Sequence, residues 1–328
     1  MEKTAIIGGS GFLGTRLSKI FIENNIDFSV FDIVNPSENV EFFFLDVLDK
    51  KSLDQLEGYT TIINLAAVHR DDVKPLSKYD EVNVEGAVNI CNAAKKYHIN
   101  KIIFTSSVAI YGFAEPNTGE TGDANYFNDY GRTKFLAEKV YKEWYEENKN
   151  SRVLSIVRPT VIFGEGNRGN VYNLLKQINS KRFFMIGNGK NIKSMAYVEN
   201  VAEFLKYCIS FEKGLNIYNY IDKPDYEMND LIKVVRFNLF KKNNIGLRLP
   251  GAIGIIIGIF ADLVSFLIRK PLPISRIRIL KFMKTTQFAS SVSKTNFYPP
   301  ISLQDGLIKT INYEFNEDNS NKKEFFTE

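Results

Sequence analysis

From Met1 to about Phe163 the chain alternates short apolar runs with longer stretches whose apolar residues recur at helical spacing. Thr4 to Ile7, Phe28 to Asp32, Thr61 to Leu65, Lys101 to Thr105 and Val153 to Val157 are the runs, and they predict strands. Apolar strands separated by helices indicate a parallel sheet covered on both faces, an α/β doubly wound architecture. Such a sheet binds ligands beyond the carboxyl ends of its strands, so the residues there are the first candidates for function.

Leu249 to Ile268 departs from this rhythm. It is almost wholly apolar, with Asp262 its only charge, and Arg269 and Lys270 follow. A membrane-spanning helix needs about 20 apolar residues, a length this stretch reaches. Gly251, Gly254, Gly258 and an apparently buried Asp262 weigh against a span. A buried or surface-docked pair of apolar helices is the leading expectation, ahead of interfacial contact with a membrane and of a true span.

The strand ends carry the candidate chemistry. Thr4 to Ile7 runs into Gly8-Gly9-Ser10-Gly11-Phe12-Leu13-Gly14, and helical spacing starts at Thr15. Glycines at this point let the backbone turn tightly and approach a pyrophosphate, whose charge the amides opening the helix can meet. Asp32 closes the next strand about twenty residues on, where a carboxylate can accept hydrogen bonds from an adenosine ribose. It would repel a 2′-phosphate, which favours NAD over NADP. Phe42 to Val47 reads as a further strand, and its Asp46 either meets an adenine amino group or caps a helix begun at Lys50. Asn64-Leu65-Ala66-Ala67 offers small residues past which a flat cofactor could lie, although packing alone would explain them. His69, beside Arg70, Asp71 and Asp72, reads as a loop residue. His98, ending the helix expected over Val84 to Lys96, reads as a partner of the helix dipole.

Composition narrows the choice of partner. In 328 residues, 42 Lys and Arg against 38 Asp and Glu leave a formal charge of +4, too balanced for a nucleic-acid surface. Cys91 and Cys208 lack paired spacing, and two histidines offer no metal cluster, so a reducing compartment without structural metal is expected. The start of the chain lacks the pattern of an export signal, and the cytoplasm is the expected location, with membrane association open through 249–268.

Lys101 to Ser107 ends a strand in three hydroxyls, and Tyr130 and Lys134 follow on a segment that turns helical through Tyr145. Four residues apart on a helix, the two share a face, so the ammonium could favour the ionised phenol. A phenol lowered from about 10 toward neutrality can exchange a proton with a sugar hydroxyl while hydride moves to or from a nicotinamide. Ser107 would hold the same oxygen.

Taken together, the glycine turn, Asn64-Leu65-Ala66-Ala67, Ser107, Tyr130 and Lys134 resemble the extended short-chain dehydrogenase/reductase family, in its nucleotide-sugar epimerase and dehydratase branch. Arg158-Pro159-Thr160-Val161-Ile162-Phe163-Gly164, Tyr197-Val198-Glu199-Asn200-Val201-Ala202 and Tyr298-Pro299-Pro300 extend the likeness over nearly the whole chain. The resemblance implies a Rossmann-like domain at 1–165, with a contribution from about 192–222, and a smaller interleaved domain at 166–328 that mainly binds substrate. It implies Tyr130 as acid/base, Lys134 as a further ligand of the nicotinamide ribose and Ser107 on the reacting oxygen. NAD would lie along Gly8, Gly11, Phe12, Leu13, Gly14, Asp32, Asp46, Val47, Leu65, Ala66, Ala67, Asn83 and Thr105, reaching Tyr130 and Lys134. Asn170, which could instead cap a helix over Val171 to Ile178, and Lys193, otherwise a solvated loop lysine, are the candidates for the substrate's diphosphate. A homodimer could form through Phe135 to Tyr145.

Departures from the family pattern select the reaction. Hexose 4,6-dehydratases follow the Ser or Thr with an Asp-Glu pair; this chain has Val108 and Ala109, which can neither give nor take a proton. Epimerase-reductases of the GDP-fucose type use a Cys at the position of Ala109 and a later His, and no His follows His98. Redox at one carbon, C4, remains. The expected activity is an NAD-dependent 4-epimerase of a UDP-hexose or UDP-N-acetylhexosamine, in polysaccharide biosynthesis, working through a 4-keto intermediate. The alternatives are a 4-keto reductase, a membrane-apposed enzyme of a lipid-linked sugar or sterol-like substrate, and a non-catalytic NAD-binding regulator.

Overall fold

A computed structural model describes residues 2–70, 73–268, 270, 272, 275–319 and 321–327. Arg269, named above, lies outside them, as do Asp71 and Asp72. The first half runs β1 (Thr4–Ile7), α1 (Phe12–Glu23), β2 (Phe28–Asp32), β3 (Phe42–Phe44), β4 (Thr61–Asn64), α2 (Ser77–Asp80), α3 (Gly86–Lys96), β5 (Lys101–Thr105), α4 (Asp129–Glu146) and β6 (Val153–Pro159). There follow β7 (Val161–Phe163), α5 (Asn170–Asn179), β8 (Met185–Ile186), β9 (Ile192–Tyr197), α6 (Val198–Cys208), β10 (Gly214–Tyr220), β11 (Asp222–Glu227), α7 (Met228–Phe240), β12 (Arg248–Leu249), α8 (Gly251–Ile268), α9 (Arg276–Met283) and α10 (Leu303–Phe315).

Seven strands form a parallel sheet in the order β10-β6-β5-β4-β1-β2-β3, the doubly wound arrangement expected. Its central strands are apolar throughout because both faces are covered. Phe104, Ile62 and Ala5 pack with α3 and α4 on one side. Ile6, Ile63 and Ile103 pack with α1 and α6 on the other. In register, Ile7 lies opposite both Phe31 and Asn64, and Thr105 opposite Val157. The ends of β1, β2, β4 and β5 therefore open on one edge.

A smaller sheet, β11-β9-β7, packs with α5, α7 and α10 around Leu175, Tyr197, Ile232 and Leu307. Within 192–222, β9 lies in the smaller sheet, while β10, which begins at Gly214, lies at the edge of the larger one. The strand expected over Phe42 to Val47 stops at Phe44, and the helix expected from Lys50 is a 3₁₀ turn, Ser52–Leu56. Residues 323–325 come back to the beginning of the chain. Phe325 exchanges backbone hydrogen bonds with Gly166 and Arg168, its ring lies 5.6 Å from that of Phe12, and Lys323 Nζ donates to the Ser10 carbonyl at 3.2 Å.

The apolar stretch corrects the sequence reading. It is one continuous helix, α8, with only Gly254 and Gly258 buried. Asp262 is exposed and accepts the Arg276 N–H at 3.2 Å, so it is no buried charge within an apolar pair.

Candidate active site

The glycine turn is forced by close approach. Gly8 has φ +78°, and a Cβ there would stand 2.5 Å from the Ala66 nitrogen, so the β1 turn and the end of β4 pack backbone to backbone. Gly11 precedes α1 in extended conformation and makes no side-chain cap, which leaves the amides of Phe12 and Leu13 at the positive end of the helix. Asp32 holds the turn from β2: Oδ2 accepts the Ser10 N–H at 3.0 Å and Oδ1 the Val34 N–H at 3.1 Å.

Other strand ends are more locally engaged. Asp46 accepts the Leu48 N–H at 2.9 Å, closing a turn, and Val47 is buried. Leu65 donates its N–H to Ile7, and Asn64 Oδ1 receives the Ala66 N–H, fixing the small-residue segment Leu65 to Ala67 beside Gly8. Asn83 bonds both backbone groups of Val68 and the Thr133 hydroxyl, so its side chain pins the loop after β4 to α4. His69 stands exposed on that loop, as a loop residue would.

Ser107, Tyr130 and Lys134 come together at the end of β5. Asn128 caps α4 by accepting the Gly131 N–H, which fixes the first turn carrying Tyr130. Ser107 receives the Ala109 N–H at 3.1 Å and is hydrogen-bonded to the Tyr130 phenol. The electrostatics correct the sequence reading. Burial pushes Tyr130 up to about 12, and the Ser107 bond offsets only part of this. Lys134 is buried, donates to the Thr105 carbonyl at 2.8 Å and lies over the Phe104 ring; burial lowers it to about 7, with the Glu138 charge opposing. Its proton is thus held against Thr105.

Beneath these residues is a network that the sequence reading missed. Glu138, four residues after Lys134, is buried and takes two hydrogen bonds from Arg158 of β6, at 2.8 and 2.6 Å, and one from Ser106 at 2.6 Å. Arg158 also donates to the Tyr111 hydroxyl and the Glu120 carbonyl. Hydrogen bonds from Arg158 keep Glu138 ionised against its burial. The available signal was Glu138 one helical turn beyond Lys134, on the buried face of α4.

On the substrate side, Gly169 takes the cap position of α5, so Asn170 is the first helical residue, exposed, and does not cap it. Lys193 is partly buried on β9, and its ammonium donates to the carbonyls of Lys281 and Lys284 at the end of α9. Burial lowers it to about 8. A diphosphate at Lys193 would compete with those carbonyls.

The donor set fits NAD. Gly11 has space beside it, with the Gly8 carbonyl oxygen at 3.4 Å as the one neighbour near where a Cβ would stand, and among the described residues Thr105 Oγ1 is buried with no hydrogen-bond partner, next to Lys134.

Residues 4–219 match the model of the NAD dependent epimerase/dehydratase family. The chain is 45% identical over 323 residues, 96% of each protein, to N-acetyl-alpha-D-glucosaminyl-diphospho-ditrans,octacis-undecaprenol 4-epimerase of Escherichia coli O157:H7. It is 24% identical over 97% of its length, and 99% of the relative's, to a decarboxylating sterol-4-alpha-carboxylate 3-dehydrogenase of Candida albicans. Similar solved structures include Thermotoga maritima UDP-glucose 4-epimerase with UDP-glucose, at TM-score 0.73 and 18% identity over 95% of this chain and 98% of that one. UDP-N-acetylglucosamine 4-epimerase of Methanobrevibacter ruminantium M1, in complex with UDP-N-acetylmuramic acid, matches at TM-score 0.71 and 18% identity, covering 95% and 97%.

Proposed function

Because the chain belongs to the NAD-dependent epimerase/dehydratase family, we propose that it is a 4-epimerase of a diphosphate-linked N-acetylhexosamine whose diphosphate is carried on a polyprenyl lipid. The observation behind the carrier is the 45% identity, over 96% of both chains, to an epimerase named for an undecaprenol-linked N-acetylglucosamine. It supports the lipid-linked carrier beside the UDP-sugar first expected, with the same reaction at C4.

When bound, NAD supplies the hydride acceptor, and later the donor, at C4. Gly8, Gly11, Phe12, Leu13 and Gly14 would hold its diphosphate, Asp32 its adenosine ribose, and Thr105 and Lys134 would line the nicotinamide side. Tyr130, as phenolate, removes the proton from the C4 hydroxyl, and Ser107 donates a hydrogen bond to that oxygen. With the C4 proton on Tyr130 and the oxygen held by Ser107, the sugar would have to present its other face to the nicotinamide side before the proton is returned. Tyr130 then returns its proton, so nothing is consumed. Lys134 must turn from the Thr105 carbonyl to support the phenolate. Val108 and Ala109 have no proton to exchange at C5 or C6, which sets this chemistry apart from dehydration. In this reading 1–165, with part of 192–222, binds NAD, and 166–328 mainly binds substrate. The enzyme works in the cytoplasm, against the membrane that holds its substrate, and pairs through α4 as a homodimer.

Purified protein is to be incubated, without added nucleotide, with N-acetylglucosaminyl-diphospho-polyprenol in detergent and separately with UDP-N-acetylglucosamine, and the released sugars separated. We expect N-acetylgalactosamine from the lipid, with kcat/KM about 100-fold or more above that for the nucleotide. Comparable rates would remove the lipid carrier and leave the epimerase. A requirement for stoichiometric NADPH would make the protein a reductase.

A further inference from the structure

α8 exposes an apolar surface that water does not favour. Its 18 residues have a mean hydropathy of 2.4, and Ile256, Phe260 and Leu267, at helical spacing along one face, are 65%, 66% and 68% exposed. Contiguous exposed apolar surface of this kind marks an interaction site. The opposite face is fastened to the protein. Gly254 packs on Ile186, Gly258 lies so close to the Arg276 backbone that a Cβ would come within 2.7 Å, and Asp262 accepts the Arg276 N–H. Positions 254, 258 and 262 follow one stripe, so α9 supports α8 from the side. A helix held in this way is placed to lie on a bilayer with its free face inward.

Charge chooses the partner. α9 and the residue after it carry Arg276, Arg278, Lys281 and Lys284 with no acidic residue among them, and Lys270 follows α8. Basic residues bordering an apolar helix complement anionic lipid headgroups, each contributing about 1 kcal/mol near such a surface. α9 also reaches the segment that leads into Tyr130. Lys281 and Lys284 lie over the rings of Phe127 and Phe113, 4.7 and 5.5 Å away, and these two exposed rings stack at 4.8 Å. Phe127 is three residues before Tyr130.

We propose that α8 docks in the plane of an anionic lipid bilayer, its apolar face inward, and that α9 thereby sets the Phe113–Phe127 side of the Tyr130 site at the membrane surface. The docking rests on the lipid-carrier reading only for its purpose, and it is tested without substrate.

Full-length protein is floated, free of detergent, with vesicles of phosphatidylcholine alone and of phosphatidylcholine mixed with phosphatidylglycerol. It should rise with the mixed vesicles, less so in high salt, and the triple variant Ile256→Ser, Phe260→Ser, Leu267→Ser should lose about tenfold or more of that binding. Tryptophans placed singly by Ile256→Trp, Phe260→Trp and Leu267→Trp should be quenched equally by a shallowly brominated lipid; the native Trp144 is buried and gives a constant background. Absence of flotation, flotation that the triple variant retains, or quenching that falls off steadily along the helix would each overturn the proposal. So would concentration-dependent self-association without lipid that the triple variant abolishes. Turnover of a short-chain polyprenyl-diphosphate sugar in detergent should be equal in wild type and triple variant; its absence from both would defeat the carrier reading and leave docking intact.

Discussion

Tyr130 and Lys134 show how far residue spacing carries and where it stops. Their four-residue interval placed both on one face of α4, but it could not reveal that the Thr105 carbonyl takes the ammonium or that burial outweighs Ser107 at the phenol. Tyr130→Phe should lower kcat by about 10²–10⁴-fold while NAD still co-purifies, measured by absorbance of the nucleotide released on denaturation; retained turnover would remove Tyr130 as the base. Lys134 offers a test in stability. Its folded pKa of about 7 lies below the ordinary 10.5, so between these values the unfolded chain binds more protons and stability rises with pH. That contribution is complete above about 10.5 and lost as pH falls to about 7. Lys134→Met should therefore raise the Tm at pH 7, flatten the rise between pH 7 and 10 and abolish turnover, as followed by thermal melts across that range.

Among the elements, β1 with α1 was legible because a glycine turn after a buried strand has few other uses. Gly8→Ala must accommodate φ +78° and a contact with the Ala66 backbone, so it should cost about 1–3 kcal/mol in denaturant unfolding and weaken NAD binding in a titration. Strap-like contacts between distant elements were not legible. Glu138 stands on α4 and Arg158 on β6, and nothing in their separate patterns joins them. Glu138→Gln leaves Arg158 a buried cation without its counter-charge, a loss of about 3–5 kcal/mol to be read from the urea midpoint. α8 was read as a pair of helices for a related reason: the pattern of Leu249 to Ile268 does not show that Gly254 and Gly258 bring one continuous helix against Ile186 and Arg276.

Over the whole molecule, alternating strands and helices announced the parallel sheet, which β10 completes at its edge. The assignment of β9 to the smaller sheet depends on pairing with β7 and β11, which hydrophobic pattern alone does not specify. The return of residues 323–325 to the glycine turn was equally invisible, since Lys323 and Phe325 lie in an ordinary polar stretch. Replacing both, Lys323→Ala with Phe325→Ala, should weaken NAD severalfold in a titration and leave the melting of the seven-stranded sheet nearly unchanged.

That contact also has a meaning in time. Ser10 and Lys323 are separated by 313 positions, and a ribosome adding about 5–20 residues per second takes roughly 15–60 s to travel between them. Throughout that interval the glycine turn exists without the contacts that Lys323 and Phe325 make to Ser10 and Phe12. The double variant therefore stands in for the nascent chain: a severalfold loss of NAD affinity in it would make firm binding of the dinucleotide a late event in the life of each molecule.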